Sequence, residues 1–194
     1  MSRLMTRTAH KLNRMFGVGI TQTLFYEITG PTVFEPSISV ATLTILVLPP
    51  KDVCLLDAIG GVNELVARER LKSGDNCYIG VLDGKTAHYA WVQKSGPHRV
   101  IPAGISLEVA PGDFWIYHCV TAGWARGRTI YPCVLQKIVD DYFQLGFSRA
   151  RIYTTRENVA SQKGIIRAGF TPTETMHALR FGERYFHLPY RKAN

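Results

Sequence analysis

Apolar side chains recur along the chain with two periods, and the switches between them mark out helices and strands. Residues 3–16 set Arg3, Arg7, Lys11 and Arg14 against Leu4, Met5, Ala9, Leu12, Met15 and Phe16 at helical spacing, with no acid before Glu27. That spacing predicts a basic amphipathic helix. Thr, Ile, Phe and Tyr crowd residues 19–28 and predict a strand. Pro31, Pro36, Pro49 and Pro50 then punctuate a loop-rich stretch around a short strand at 42–48. Leu55, Leu56, Ile59, Val62, Leu65 and Val66 return to helical spacing, with Glu64, Arg68, Glu69 and Arg70 on the far side. A helix of about 20 residues is therefore expected from Asp52 to Gly74.

Strand patterns follow at 76–83, 86–93, 100–109 and 114–121, with Asp83-Gly84 as a hairpin turn and Pro111-Gly112-Asp113 as a second turn. They read as an antiparallel meander. The pattern then changes to helix at 130–145, strand at 149–155, helix at 158–168, and two short strands at 174–181 and 184–190 around Gly182. One strand-helix-strand unit thus sits inside a mostly antiparallel protein, and the expected fold class is α+β. No internal repeat, low-complexity segment or linker interrupts the pattern, so residues 1–194 are expected to form a single domain.

Charge narrows the partners. The excess of 23 basic over 15 acidic residues gives a formal charge of +8, which favours a phosphorylated cofactor, nucleic acid or an anionic membrane surface. No basic stripe interleaved with aromatic residues is present, so nucleic acid is not an expected partner. Cys54, Cys77, Cys119 and Cys133 form no Cys-x-x-Cys pair, which argues against a zinc site or a disulfide framework and for free thiols in a cytoplasmic protein. No apolar run reaches the roughly 18 residues of a membrane-spanning helix. The basic segment at 3–16 suits either peripheral contact with a membrane or a cover for part of the protein's own core.

The most informative segment runs from the strand at 114–121, through Ala122-Gly123-Trp124-Ala125, into Arg126-Gly127-Arg128-Thr129-Ile130-Tyr131. A helix starts directly after this basic turn. The first amides of any helix lack partners within it, and the helix dipole adds partial positive charge, so such a terminus can cradle phosphate. Arg126 and Arg128 add charge, and Gly127 permits close backbone approach. The same features also suit an ordinary strand-helix turn with solvated arginines.

This segment resembles the cofactor loop of the GCN5-related N-acetyltransferase (GNAT) superfamily. The signature there is Arg or Gln, two residues, Gly, one residue, then Gly or Ala, commonly seen as Arg-Gly-x-Gly-x-Gly. Arg126, Gly127, Arg128 and Ile130 follow that pattern, whereas Thr129 and Tyr131 occupy the two later glycine positions and Pro132 removes an amide from the first helical turn. A second resemblance is Glu157-Asn158-Val159-Ala160-Ser161, followed by Lys163-Gly164-Ile165-Ile166-Arg167-Ala168-Gly169-Phe170. In the family an Asn-x-x-Ser stretch opens the next helix and a Gly-Phe pair closes it. Read without the family, Asn158 is a helix cap and Gly169 a C-terminal cap.

The resemblance implies a GNAT-like sheet in which strands 114–121 and 149–155 run parallel and splay apart around acetyl-CoA or another acyl-CoA. Backbone groups of Cys119, Val120 and Thr121 would then hold the cofactor arm, and Arg126, Gly127, Arg128, Thr129, Ile130, Tyr131 and Asn158 would complete its site. The implied activity is transfer of an acetyl or longer acyl group to a primary amine, for which an amino sugar or envelope precursor is the expected acceptor. Asp113, Glu108 and His118 are the candidates for general base. The family's acid, a tyrosine on the second helix, falls at Ile165, which leaves Tyr131, Tyr153 or no dedicated acid. A long-chain donor on acyl carrier protein and a non-catalytic acyl-CoA-binding module are the alternative readings. The expected oligomeric state is a dimer.

Overall fold

The computed structural model describes residues 18–30, 43–182, 184–188 and 191–192. The basic segment at 3–16 lies outside the described residues. The elements are β1 (Val18–Ile28), β2 (Leu43–Val47), a 3-10 helix (Pro50–Leu56), α1 (Glu64–Lys72), β3 (Asn76–Leu82), β4 (Lys85–Gln93), β5 (Pro97–Val100), a 3-10 turn (Ile101–Ala103), β6 (Ile105–Glu108), β7 (Asp113–Thr121), a 3-10 turn (Gly123–Ala125), α2 (Ile130–Gln144), β8 (Arg149–Thr155), α3 (Val159–Arg167), β9 (Thr171–Phe181), β10 (Arg184–His187) and β11 (Arg191–Lys192). One large sheet has the order β10-β9-β1-β8-β7-β4-β3-β2, with β11 also on β9; β5 and β6 form a separate hairpin. Among these pairings β7 with β8 is parallel, and the others are antiparallel.

The sheet carries helices on both faces. On one, Val134, Leu135, Ile138, Val139 and Tyr142 of α2, Ile165 of α3 and Ala168 just after it pack on Ala90, Val92, Phe114, Ile116, Ala150 and Ile152. Gly80 of β3 lets α2 come close, because a Cβ there would lie 3.3 Å from Ile130 and Val134. The other face buries Trp91, Tyr89, Cys77 and Ile79 under Val53, Leu56 and Ala67. Beside that cluster, the β5-β6 hairpin covers Phe25 and Trp115 with Val100 and Ala103. At about 25 cal/mol per Å² of apolar surface, each fully buried aromatic or branched side chain contributes roughly 1.5–3 kcal/mol.

Two expectations from the sequence are corrected. The helix from Asp52 to Gly74 is broken into a 3-10 helix and α1. Gly60 and Gly61 take φ of 75° and 88°, and the Asn63 side chain accepts from the Val66 amide at 2.9 Å to cap α1. The apolar spacing ran through this break because Leu55 and Leu65, which completed it, are exposed. The strand at 100–109 is likewise two strands, since Ile101-Pro102-Ala103 turns and Gly104 adopts φ 65°. The β5-β6 hairpin therefore interrupts the meander β3-β4-β7. The Asp83-Gly84 turn forms as expected, with φ of 51° and 76°.

Candidate functional site

The parallel ladder starts at Asp113 opposite Arg149 and stops at Ile116 opposite Ile152. Past that point β7 bends. Trp91 of β4 faces Tyr117 and Tyr89 faces Val120, so His118 and Cys119 together oppose Ala90 alone. This is a β-bulge, and His118 takes φ 48° within it. The bulge re-aims the last turn of β7 away from β8 and opens a cleft, along which backbone groups that would have continued the ladder face outward.

At the open end β7 leads through Gly123–Ala125 into the basic turn. Gly127 has φ 78°, and Thr129, the residue just before α2, has φ 59° with no capping bond from its side chain. Thr129, at a glycine position of the GNAT pattern, thus adopts a left-handed conformation that glycine would take freely, at a strain of roughly 1–3 kcal/mol. Pro132 is buried in the first helical turn, where its missing amide has no partner within the helix to lose. Opposite, the Asn158 side chain accepts from the Ser161 amide at 3.1 Å, so it caps α3. Gly169 at φ 88° ends that helix, and Phe170 is buried in the core.

Between the two helix starts lies a groove of about 580 Å³. Residues 119–121 and 126–131 and Asn158, the whole set assigned to cofactor binding from the sequence, line it. Lys163 and Arg167 of α3 add two cations on the wall facing Arg126 and Arg128. Arg128 is 3.9 Å from Asp83, a solvent-exposed pair of little energetic weight. A cationic rim around the amides of a helix start suits a phosphate-bearing ligand. A smaller cavity of about 210 Å³ adjoins the groove. It shares Cys119, Tyr131, Asn158 and Ser161 with the groove and adds Pro102, His118 and Tyr153.

No family model matches the sequence, and no curated protein matches it. Solved structures do match. A GCN5-related N-acetyltransferase from Sphaerobacter thermophilus aligns over 90% of this chain at 12% identity, with a TM-score of 0.58. One from Kribbella flavida covers 88% at 15% identity, also at 0.58. A GNAT-family acetyltransferase from Colwellia psychrerythraea covers 84% at 16% identity and 0.56. The chain has the GNAT fold. It spans 55%, 62% and 56% of the lengths of those three proteins.

Within that fold the candidate acids and bases fall in different places. Asp113 is buried at the closed end of the ladder, where Arg149 donates to it twice, at 3.0 and 2.7 Å. Neither Asp113 nor Glu108, which is exposed at the end of β6, lines either cavity. His118 lines the smaller cavity, but its Nδ1 lies 2.7 Å from Arg70 Nη1. A guanidinium only donates, so Nδ1 accepts and the ring proton sits on Nε2. Burial, followed by the Arg70 charge, lowers the pKa of this histidine. The lone pair that a base needs is therefore already engaged.

Tyr153 follows Ile152, the last residue of β8 that pairs with β7. Its hydroxyl donates to the Arg99 carbonyl at 3.4 Å, and burial pushes its pKa up to about 12. Ile165, at the position of the family's acid, is fully buried beneath α3. Tyr131 instead reaches the junction of the two cavities from the first turn of α2. Its hydroxyl is 3.3 Å from Ser161 Oγ, and burial raises its pKa well above the ordinary value. Its ring lies against Gly164, where a Cβ would stand 2.5 Å from ring carbon Cδ1.

Four features escaped the sequence. The bulge at His118-Cys119 is defined only by counting residues across two strands. Lys163 and Arg167 were legible in principle, since positions 160, 163, 164 and 167 share one helical face, beside the stripe of Ile165 and Ala168 that turns to the core. The β5-β6 turn brings Pro102 to the smaller cavity from a distant segment. His88 of β4 lies beneath the groove, 1% exposed, with Nδ1 2.8 Å from Thr121 Oγ1 and its ring against Tyr131.

Proposed function

We propose that the protein transfers an acyl group from an acyl-CoA to a primary amine. The observation that carries this reading is the splay of β7 from β8 beyond Ile116 and Ile152, directly into a groove formed by the basic start of α2. The residues fit the group: Arg126, Arg128 and Lys163 with the amides of Ile130 and Tyr131 would hold its phosphates, and β7 backbone near Cys119 and Thr121 would hold its arm. When bound, the thioester supplies an activated acyl group.

Tyr131 keeps its proton at Oη, because burial disfavours the phenolate. From the junction of the two cavities it serves as proton donor to the departing sulfur. Asp113 and His118 are held by Arg149 and Arg70, so the amine gives its proton to water in the open cleft. The acceptor is read as an amino sugar or envelope precursor on the sequence resemblance. The free thiols of Cys54, Cys77, Cys119 and Cys133 support a cytoplasmic setting.

The test is thiol release from acetyl-CoA and a long-chain acyl-CoA against a panel of amines, with Tyr131→Phe and Tyr153→Phe. Amine-dependent release is expected, with kcat lowered roughly 100-fold or more in Tyr131→Phe and KM for the donor unchanged. Acyl-CoA binding without release for any amine would mark a non-catalytic binding module and overturn the proposal.

A further inference from the structure

Among the described residues, nothing covers the sheet face that carries α2 and α3 at its β1-β9-β10 end. Register places Ile20 opposite Leu179 and Leu179 opposite Phe186, so the three form one row on one face. Phe181 lies two residues along β9, on the same face. Leu188 follows Phe186 by two, and its amide donates to the His177 carbonyl at 3.0 Å. Ile20 is 67% exposed and Phe181 and Phe186 are each 57% exposed; Leu179 and Leu188 are exposed too. Contiguous apolar surface of this kind marks a contact.

We propose that residues 3–16 of this chain cover that face as an amphipathic helix. Leu4, Met5, Ala9, Leu12, Met15 and Phe16 would lie on Ile20, Leu179, Phe181 and Phe186, with Arg3, Arg7, Lys11 and Arg14 turned to solvent. Chain continuity favours this occupant. Gly17 alone separates the segment from β1, and Val18 itself stands opposite Phe181, so β1 begins at the rim of the exposed patch. Residues 31–42, by contrast, join β1 to β2 on the opposite edge of the sheet. A helix of that length runs about 21 Å, enough to cross three strands whose outer axes are roughly 10 Å apart. The inference is independent of the acyl-transfer reading.

Hydrogen exchange of the full chain tests it, with Phe186→Asp on the sheet and Leu12→Asp on the segment. In the monomer, amides of residues 3–16 are expected to exchange more than about tenfold slower than a free peptide. Either variant removes that protection while α2 stays protected, which shows that the body remains folded; Arg7→Asp leaves it intact. Unprotected amides in the wild-type monomer would overturn the proposal. So would protection that appears only on self-association, which assigns the face to a second copy. Protection appearing only with anionic phospholipid vesicles would assign the segment to a membrane and equally overturn it.

Discussion

His88 and His98 are buried, and each bears on how stability depends on pH. Burial brings the pKa of His88 to about 3, and burial together with Arg151 brings that of His98 to about 4. His98 stacks on Trp115 with ring centroids 4.8 Å apart, and its Nδ1 lies 2.7 Å from Gln93 Oε1. In the unfolded chain both would titrate near pH 6.5. A depressed folded pKa means that the unfolded state binds the proton first. The stabilisation is thus complete above about pH 6.5 and is lost as pH falls toward the folded values. Between about pH 7 and pH 5 each histidine costs about 2 kcal/mol, or about 4 kcal/mol for the pair, a large share of the 5–15 kcal/mol of a typical domain. His118, also lowered, acts in the same direction, whereas Asp75, raised by burial, acts in the opposite direction at lower pH. The assay is urea unfolding at the two pH values for the wild type, His88→Asn and His98→Asn. Each variant has its own stability at pH 7, but the loss on acidification should shrink by about 2 kcal/mol in each. A wild-type loss below about 1 kcal/mol, or an unchanged loss in both variants, would show that the two buried histidines do not set this pH dependence.

Three further outcomes follow from particular contacts. Thr129→Gly should raise stability by about 1 kcal/mol in thermal or urea unfolding, because glycine accepts φ 59° without strain. Gly164→Ala should drive Tyr131 out of its place and weaken acyl-CoA binding while leaving the fold cooperative, as read by calorimetry and by unfolding curves. Asp113→Asn breaks the charge-assisted pair with Arg149 and should destabilise by about 2–3 kcal/mol. If the proposed acyl transfer holds, its kcat in the protein that remains folded should stay within a few-fold of wild type, since Asp113 does not line the cleft.

Local signals explain what the sequence revealed. α2, β8 and α3 were located to within about two residues, because each is bounded by its own chemistry: the basic turn before Ile130, the Asn158 cap and the Gly169 stop. The groove was legible for the same reason, since its walls are consecutive residues at two helix starts. Elements held by distant partners were not. The helix expected from Asp52 looked continuous because helical spacing does not register a Gly60-Gly61 break when the flanking leucines are exposed. The strand at 100–109 hid a turn around Pro102 whose stability comes from packing on Phe25 and Trp115. Tyr131 was a glycine-position anomaly in the motif, and its place beside the absent acid at Ile165 emerged only once α2 and α3 were set side by side.

Calorimetric titration with acetyl-CoA, a long-chain acyl-CoA and free CoA shows whether the groove at the start of α2 is an acyl-CoA site. At least one thioester should bind the wild type with a micromolar Kd. Arg126→Ala and Arg128→Ala should each weaken binding about tenfold, with a shallower salt dependence. Absence of binding by all three ligands, or affinity untouched by both substitutions, would rule out an acyl-CoA site in this groove.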